Sequence, residues 1–191
     1  MFPYQTEKEI NGWFLKNEGK IYYYLTNLFV NKNILEIGSY QGLSLSYIEN
    51  TKNNIYAIEP NKIHFEILKK NIDKFFKNKK ITLFNEFSMD ICKKIPDEFF
   101  NLIFIDADHS YKSVSDDIIF WTKKLKKYSI LAGHDYDNFW VGVRDSVNDI
   151  IKKENILLVQ RVWYTFWDGK RYCKPTNQII SKYLIKKFKM L

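Results

Sequence analysis

The sequence predicts a doubly wound α/β fold, with a mostly parallel sheet of seven strands in a single domain. Short apolar runs alternate with longer amphipathic stretches, as strands alternate with helices in a parallel sheet. A glycine-containing segment follows the first apolar run and leads into a helical stretch. The length of 191 residues fits one domain with a sizeable core.

Five apolar runs predict the parallel strands. Each is short and rich in β-favouring residues, and the fourth is continuously apolar, which is typical of a strand buried on both faces. The runs are Asn33–Ile37, Asn54–Ile58, Ile81–Phe84, 102–105 and 128–132. Residues 156–159 and 162–167 predict two further, antiparallel strands, with a turn at Asp168-Gly169.

Amphipathic stretches between these strands predict helices. They lie at residues 44–49, 62–77, 111–125 and 142–152. In the third stretch, Val114, Ile118 and Trp121 recur near the helical period of 3.6. We therefore expect these three side chains in the core.

Two terminal segments flank the predicted core within the single domain 1–191. Residues 1–29 form the N-terminal part, where apolar residues at helical spacing predict one or two helices that cap the sheet. Residues 30–191 form the α/β core, which ends in a basic amphipathic tail at 178–191. No internal repeat or low-complexity linker divides the sequence.

Composition limits the class of protein. Hydrophobic residues make up 46% of the chain, which excludes a disordered or collagen-like protein. No run approaches the roughly 20 apolar residues of a membrane span, and no signal-peptide pattern is present, so we expect a cytoplasmic protein. Cys92 and Cys173 stand far apart and outside any metal-binding pattern, so we expect ordinary thiols.

The formal net charge of +8 could attract nucleic acid, an anionic membrane or a phosphorylated substrate. The lysines are scattered over predicted helix surfaces and turns. A solvated lysine surface therefore explains the charge better than a nucleic-acid surface does.

Residues 36–44 read EIGSYQGLS and connect the first strand to the first core helix. Ligands bind open α/β sheets beyond the carboxyl ends of the strands, where Gly38 and Gly42 would let the backbone approach them closely. We expect Ser44 to be the N-cap of the helix. Tyr40 breaks the spacing GxGxxG, which disfavours a pyrophosphate site and a nicotinamide-dependent oxidoreductase.

Glu59 ends the second strand about twenty residues beyond the glycine loop, where a carboxylate can accept hydrogen bonds from both hydroxyls of a ribose. Pro60 stops the strand, and Asn61 stands beside the carboxylate. The alternative to a ribose-binding role is that Glu59 is an ordinary surface residue before a turn. The glycine loop upstream favours the ribose-binding role.

Titratable side chains follow the fourth and fifth strands. Residues 106–111 read DADHSY, and residues 133–138 read GHDYDN. We expect Ser110 to cap the next helix, but the acids and histidine around it exceed what a cap requires and indicate a site. His64 lies on a predicted helix, and we expect no role for it in the site.

In this order, the segments ILEIGSYQGLS, YAIEP, FIDADHSY and AGHDY resemble the class I S-adenosylmethionine-dependent methyltransferases. They are most similar to a group of small O-methyltransferases of the Methyltransferase_24 type, with an acidic DxDHSY segment. The similarity covers nearly the whole chain, including Ile10-Asn11-Gly12-Trp13, Glu18-Gly19 and Tyr23-Tyr24-Leu25 in the leading segment. It implies a Rossmann-like fold and an enzyme that uses S-adenosylmethionine.

The resemblance also implies roles for individual residues. The glycine loop would surround the methionine part of the cofactor, and Glu59 would hold its ribose with support from Asn61. Ser88, in the loop after the third strand, would contact the adenine, and Asp106 would face the sulfonium. The full implied set is Glu36, Gly38, Ser39, Gly42, Ser44, Glu59, Asn61, Ser88, Asp106 and His109.

Methyl transfer from a sulfonium is a direct displacement, so catalysis requires alignment and exclusion of water rather than an enzyme nucleophile. A hydroxyl acceptor must also lose its proton. His109 or His134 could accept it, because imidazole titrates near neutral pH. Asp106 completes the candidate catalytic set.

A divalent cation is an equally open alternative for activating the acceptor. Asp106 with Asp135 is similar to the metal ligands of catechol-type and caffeoyl-CoA-type O-methyltransferases, where Mg²⁺ or another hard cation lowers the pKa of the acceptor hydroxyl. Those enzymes have an asparagine where this chain has Tyr136. Asp137 or Asn138 would have to substitute for it.

The favoured hypothesis is O-methylation of a small molecule or sugar, with residues 136–143 and the N-terminal helix forming the acceptor pocket. Phe139 and Trp140 would contact an acceptor ring, unless Trp140 packs in the core. A nucleic-acid acceptor is favoured only by the charge and the tail 182–189, since no DPPY, NPPY or Pro-Cys motif is present. A non-catalytic cofactor-binding module is the third hypothesis, and a homo-oligomer stays open.

Overall fold

The computed structural model describes residues 9–77 and 80–174. Within them, the strands are β1 (Asn33–Ile37), β2 (Asn54–Ile58), β3 (Ile81–Phe84), β4 (Phe100–Ile105), β5 (Leu125–Gly133), β6 (Leu157–Val159), β7 (Val162–Trp167) and β8 (Tyr172–Cys173). The α-helices are α1 (Lys16–Asn27), α2 (Leu43–Ile48), α3 (Lys62–Phe75), α4 (Ser88–Lys94), α5 (Tyr111–Thr122) and α6 (Val141–Ile151). The predicted tail at 178–191 lies outside the described residues.

One sheet organises these elements, in the order β3-β2-β1-β4-β5-β7-β6, with β8 paired to β7. Strands β1 to β5 are parallel, and β7 runs antiparallel to β5. The order reverses between β1 and β4, so the loops that follow these two strands diverge and leave a crevice at the sheet edge. The predicted doubly wound α/β fold is confirmed.

Helices cover both faces of the sheet because residues alternate between faces along each strand. Ile34 of β1 packs in the core layer beneath α1, α2 and α3, while its neighbour Leu35 packs in the layer beneath α4, α5 and α6. Val114, Ile118 and Trp121 are buried in that second layer, which confirms their predicted core positions. No helix in the described part of the chain is long and apolar enough to cross a membrane.

Several predicted boundaries are wrong for identifiable reasons. Gly42, with φ of 93°, is the N-cap of α2, so Ser44 lies inside the helix rather than capping it. The helix predicted at 111–125 ends at Thr122, because Leu125 already pairs with Phe100 in the sheet. The short elements α4 and β8 were not predicted, since 7 and 2 residues carry too little periodicity.

Candidate functional site

A cavity of about 800 Å³ opens at the carboxyl ends of β1, β2, β4 and β5. The loops that the sequence singled out meet there, together with residues 12–14 of the N-terminal segment. The predicted site residues that line it are Gly38, Ser39, Ser44, Glu59, Asp106, His109, His134 and Asp135. Four other predicted residues lie outside its lining, namely Glu36, Gly42, Asn61 and Ser88.

The glycine loop passes very close to the segment after β4. A Cβ atom on Gly38 would lie 2.1 Å from the carbonyl oxygen of Asp106, and φ at Gly38 is +89°. The backbone N–H groups of Gly38 and Ser39 both donate to the carbonyl oxygen of Ile58, at 2.9 and 3.0 Å. Only glycine fits this position, which brings the loop and Asp106 to the same wall of the cavity.

Buried polar atoms with open hydrogen-bonding capacity lie beneath the loop. Glu36 is fully buried, and its Oε1 accepts a hydrogen bond from Ser44 Oγ at 2.8 Å. Its Oε2 and the Oγ of Ser39 form no hydrogen bond of good geometry among the described residues, although Ser39 and Tyr22 lie close enough to Glu36 to lower its pKa. Burial raises the pKa of Glu36 to about 8, against the opposing effect of the Ser44 hydrogen bond. Such unpaired buried groups indicate a missing polar ligand or water.

Glu59 presents a preorganised carboxylate at the opposite side of the loop. Its Oε2 accepts from the backbone N–H of Tyr40 at 2.9 Å, and its Oε1 accepts from that of Asn61 at 2.8 Å. Burial raises the pKa of this carboxyl above its usual value, although both hydrogen bonds oppose the shift. Each oxygen keeps a lone pair, so the carboxylate can still accept two hydroxyl groups of a ligand.

Asn61 supports Glu59 through its backbone and not through its side chain. The side-chain oxygen caps α3 by accepting from the backbone N–H groups of Ile63 and His64, at 2.9 and 3.2 Å. The side chain therefore fixes the start of the helix. A direct side-chain contact with the cofactor is not favoured by this arrangement.

Ser88 is the first residue of α4, so its predicted place in a loop is wrong. Its Oγ donates to Asp117 Oδ1 at 2.5 Å and accepts from Trp121 Nε1 at 2.7 Å. These partners belong to α5, and the hydroxyl thereby joins the two helices. The predicted adenine contact stays untested.

Replacing Asp117 by asparagine is expected to change the pH dependence of stability. Burial raises the pKa of Asp117 to about 6, only partly opposed by the Ser88 hydrogen bond. A carboxyl pKa that is higher in the folded state costs stability as pH rises from about 4 to 6, and costs nothing below that window. Asp117→Asn is therefore expected to be more stable than wild type by up to about 3 kcal/mol at pH 8, but not at pH 4.

Urea unfolding at several pH values measures this difference. Asp90→Asn is the matched control, because the carboxylate of Asp90 is exposed and pairs with Lys93. Parallel stability curves for wild type and Asp117→Asn between pH 4 and 8 would contradict the prediction.

The acids and histidines after β4 and β5 form one cluster. Asp106, His134 and Asp135 each offer a ligand atom, and these atoms all lie within 4.8 Å of one another. His134 Nδ1 lies 3.3 Å from Asp135 Oδ1 and 3.6 Å from Asp106 Oδ1. Asp135 has φ of 57°, a left-handed conformation that costs free energy for a non-glycine residue and often marks a functional site.

Sequence reasoning missed two charged members of the cluster. Glu18 of α1 is fully buried, and its carboxylate accepts two hydrogen bonds from Arg161, at 2.8 and 3.2 Å. Arg161 also donates to Asp135 Oδ1 at 2.9 Å. These residues are 143 positions apart, so no local motif connects them. Their interaction could have been predicted only by matching a buried glutamate on an amphipathic helix with an arginine in the turn between two strands.

The charges of the cluster shift one another's protonation. Burial lowers the pKa of His134, but Asp106, Asp135 and Glu18 raise it further, to about 11. Burial likewise raises the pKa of Asp135, whereas His109 and His134 hold it well below its usual range. His134 is therefore protonated at neutral pH unless a cation replaces its proton.

His109 occupies the rim of the cluster. Its Nε2 lies 2.9 Å from Asp135 Oδ2, and its ring stacks on Trp140 with centroids 3.9 Å apart. Within the described residues, Nδ1 of His109 has no hydrogen bond. Because Trp140 also lines the cavity, both rings border the space where a ligand would lie.

The fold, the glycine loop and the acidic residue after β2 together define a class I S-adenosylmethionine-dependent methyltransferase. A family model described as a methyltransferase domain matches residues 35–136. The chain belongs to this methyltransferase family, and its cofactor is S-adenosylmethionine. The sequence-based prediction of the class is therefore confirmed.

Solved structures share the fold at low sequence identity. Cofactor-bound Rv0187 from MTB superposes with a TM-score of 0.68 at 15% identity, over 82% of each chain. An O-methyltransferase from Bacillus cereus in complex with SAH gives 0.62 at 17% identity, over 78% of this chain and 80% of that one. The tRNA (m1A58) methyltransferase TrmI from Aquifex aeolicus gives 0.61 at 15% identity, over 82% and 71%. A search of curated proteins found no match.

Proposed function

We propose that this enzyme transfers the methyl group of S-adenosylmethionine to a hydroxyl oxygen of a small molecule or sugar. The observation that carries the proposal is the pair of His109 and Asp135, which borders the same cavity as Glu59 and the glycine loop. A proton acceptor beside the cofactor site suits a hydroxyl, which must lose its proton during transfer. The B. cereus neighbour, itself an O-methyltransferase, agrees with this chemistry.

The cavity wall fits the cofactor. Glu59 would accept the ribose hydroxyls, and the unpaired Ser39 hydroxyl would meet the methionine part, with Glu36 and Ser44 behind it. Gly38 would allow the close approach of backbone to ligand. When bound, S-adenosylmethionine supplies an electrophilic methyl group for direct displacement.

His109 would act as the general base. Asp135 holds the tautomer that carries the proton on Nε2, which leaves the Nδ1 lone pair to take the proton of the acceptor. Trp140 fixes the plane of the ring by stacking. His134 is less suited to this role, because its three carboxylate neighbours already keep it protonated.

Asp106, His134 and Asp135 also fit a divalent cation. Their ligand atoms converge within 4.8 Å. Tyr136, which replaces the expected asparagine, instead donates to Asn148. Of the two proposed substitutes, Asp137 accepts from the backbone N–H groups of Phe139 and Trp140, and Asn138 accepts from Arg144. His134 would therefore provide the third ligand. A bound cation would lower the pKa of an acceptor hydroxyl.

Aromatic side chains suit the acceptor end of the cavity to a planar or sugar ring. Trp13 and Phe139 border the cavity and are 76% and 79% exposed, which leaves their faces available to a ligand. Trp140 also borders the cavity, so this side chain does not pack only in the core. This lining supports a small-molecule acceptor more than a nucleic acid, which would need an extended basic surface.

The test is a methyl-transfer assay with a panel of catechols, phenols and sugars, using S-adenosylmethionine labelled in its methyl group. Mass spectrometry of the product identifies the methylated atom. An O-methyl product supports the proposal. A transfer RNA mixture serves as the nucleic-acid arm, and salt-sensitive labelling of RNA alone would contradict it. Calorimetric binding of the cofactor without turnover on any acceptor would favour the non-catalytic module.

A further inference from the structure

We propose that the cluster Asp106–His134–Asp135 selects a divalent transition-metal ion over Mg²⁺, with Glu18 as the residue that positions His134. This inference rests on the cation site of the proposed function and adds the class of ion and a supporting residue. Glu18 and Arg161 lie outside residues 35–136, which the family model matches, and the resemblance of the leading segment gives Glu18 no role, so their contribution is read from the contacts of this chain.

The first step is the chemistry of the ligand atoms. Mg²⁺ and Mn²⁺ prefer carboxylate, carbonyl and water oxygens, whereas imidazole nitrogen suits Fe²⁺, Ni²⁺, Cu²⁺ and Zn²⁺, and affinity for sites that contain nitrogen rises from Mn²⁺ through Co²⁺. This cluster contributes one imidazole nitrogen and two carboxylates. Replacement of an oxygen ligand by nitrogen weakens the preference for Mg²⁺ and strengthens the preference for the transition-metal ions.

The second step is the condition of His134 itself. The residue is 4% exposed. Its Nδ1 lies 3.6 Å from Asp106 Oδ1 and 3.3 Å from Asp135 Oδ1. One buried imidazole nitrogen and two carboxylates therefore converge, as the ligands of a cation do.

The third step is the carboxylate behind the ring. Glu18 Oε2 lies 3.0 Å from His134 Nε2, the nitrogen that faces away from the two acids. Histidines that bind metals commonly direct their second ring nitrogen to a carboxylate, which fixes the tautomer and the ring orientation. The backbone N–H of Leu15, at 2.7 Å, and the guanidinium of Arg161 hold Glu18 in turn.

Arg161 binds Asp135 without preventing Asp135 from binding a cation. Its Nη1 donates to Asp135 Oδ1, and a carboxylate oxygen has a second lone pair available. The arginine charge also compensates Glu18 inside the protein. Arg161 therefore holds the Glu18 carboxylate in place and reduces the net negative charge of the site. With less net charge, the site distinguishes cations by the type of ligand atom it offers more than by electrostatic attraction.

The experiment measures ion binding directly, without turnover. Co²⁺ binding is followed by its visible absorption, and Mg²⁺ is titrated as a competitor against full-length protein. Wild type is expected to bind Co²⁺ at least about tenfold more tightly than Mg²⁺. Glu18→Gln is expected to weaken Co²⁺ binding by roughly 10- to 100-fold. His134→Asn presents an amide oxygen near the position of Nδ1 and is expected to remove most of the preference for Co²⁺.

Asp108→Asn is the matched control, because Asp108 lines the cavity but lies outside the cluster, and the Co²⁺ affinity of this variant should stay near that of wild type. Circular dichroism and cofactor binding confirm the fold of each variant, and His134→Asn tests the idea if Glu18→Gln does not fold. Equal affinity for the two ions, no binding of either, or equal effects of Glu18→Gln and Asp108→Asn would overturn the inference. An O-methyl product from protein that binds neither ion would overturn it and leave the proposed methyl transfer intact.

Discussion

Glu59→Ala is expected to bind S-adenosylmethionine roughly 100-fold more weakly than wild type. The substitution removes an ionised acceptor for two ribose hydroxyls, and hydrogen bonds to charged groups each contribute about 1.5–3 kcal/mol. A loss of about 3 kcal/mol corresponds to roughly a 100-fold change in Kd. The carboxylate is already fixed by Tyr40 and Asn61, so binding need not order it. Isothermal titration calorimetry with purified protein measures the affinity.

Asn61→Ala is the matched control for Glu59→Ala. It removes the cap of α3 but keeps the backbone N–H that donates to Glu59. Its cost should appear as about 1 kcal/mol of stability, with cofactor affinity changed by less than about threefold. Unchanged affinity in Glu59→Ala, or an equal loss in both variants, would remove Glu59 from the cofactor site.

The order of elements could be predicted from the sequence because each buried parallel strand is a short apolar run. Leu102–Ile105 of β4 is fully buried, and its apolar residues have no polar interruption. The carboxyl ends of parallel strands meet at one edge, so the polar segments after β1, β2, β4 and β5 could also be predicted to converge. The cavity confirms that convergence without testing the role of each residue.

What the sequence could not provide depends on contacts between distant segments. The Glu18 carboxylate meets Arg161 across 143 positions, so the leading segment that contains Glu18 does not reveal its partner. Ser88 likewise has partners that local sequence does not reveal, because its hydroxyl is bonded to Asp117 and Trp121 of α5. Ser44 differs, since a local feature decides there: the left-handed Gly42 starts the helix two residues earlier.

The glycine loop, at the proposed cofactor end of the cavity, is in contact with the segment after β4, at the proposed acceptor end. The chain that follows Asp106 packs against Gly38, where even a methyl group would approach a carbonyl oxygen to 2.1 Å. The next residues along that segment lead directly to His109. This packing holds the glycine loop, where the methyl donor is proposed to bind, against the segment that carries the proposed base, and direct displacement depends on such alignment.

That alignment gives the second large effect. His109→Gln is expected to lower kcat for an O-methyl acceptor by about 10²- to 10⁴-fold, because general base catalysis contributes this range. Cofactor affinity should change little, since Glu59 and the glycine loop are untouched. The loss should shrink for phenols of low pKa, which ionise without help, and that dependence separates a base from a residue that only supports the fold. Rates across a series of substituted phenols measure it.

His64→Gln, assayed at saturating cofactor, is the matched control, because its ring contacts Tyr40 and its charge acts on Glu59. A similar rate loss in both variants would indicate a general effect of histidine removal. Equal losses in His109→Gln for phenols of high and low pKa would show that proton removal is not its contribution. The cation at Asp106, His134 and Asp135 would then be the remaining group able to ionise the acceptor, because the pKa of a hydroxyl bound to a divalent cation falls without any protein base.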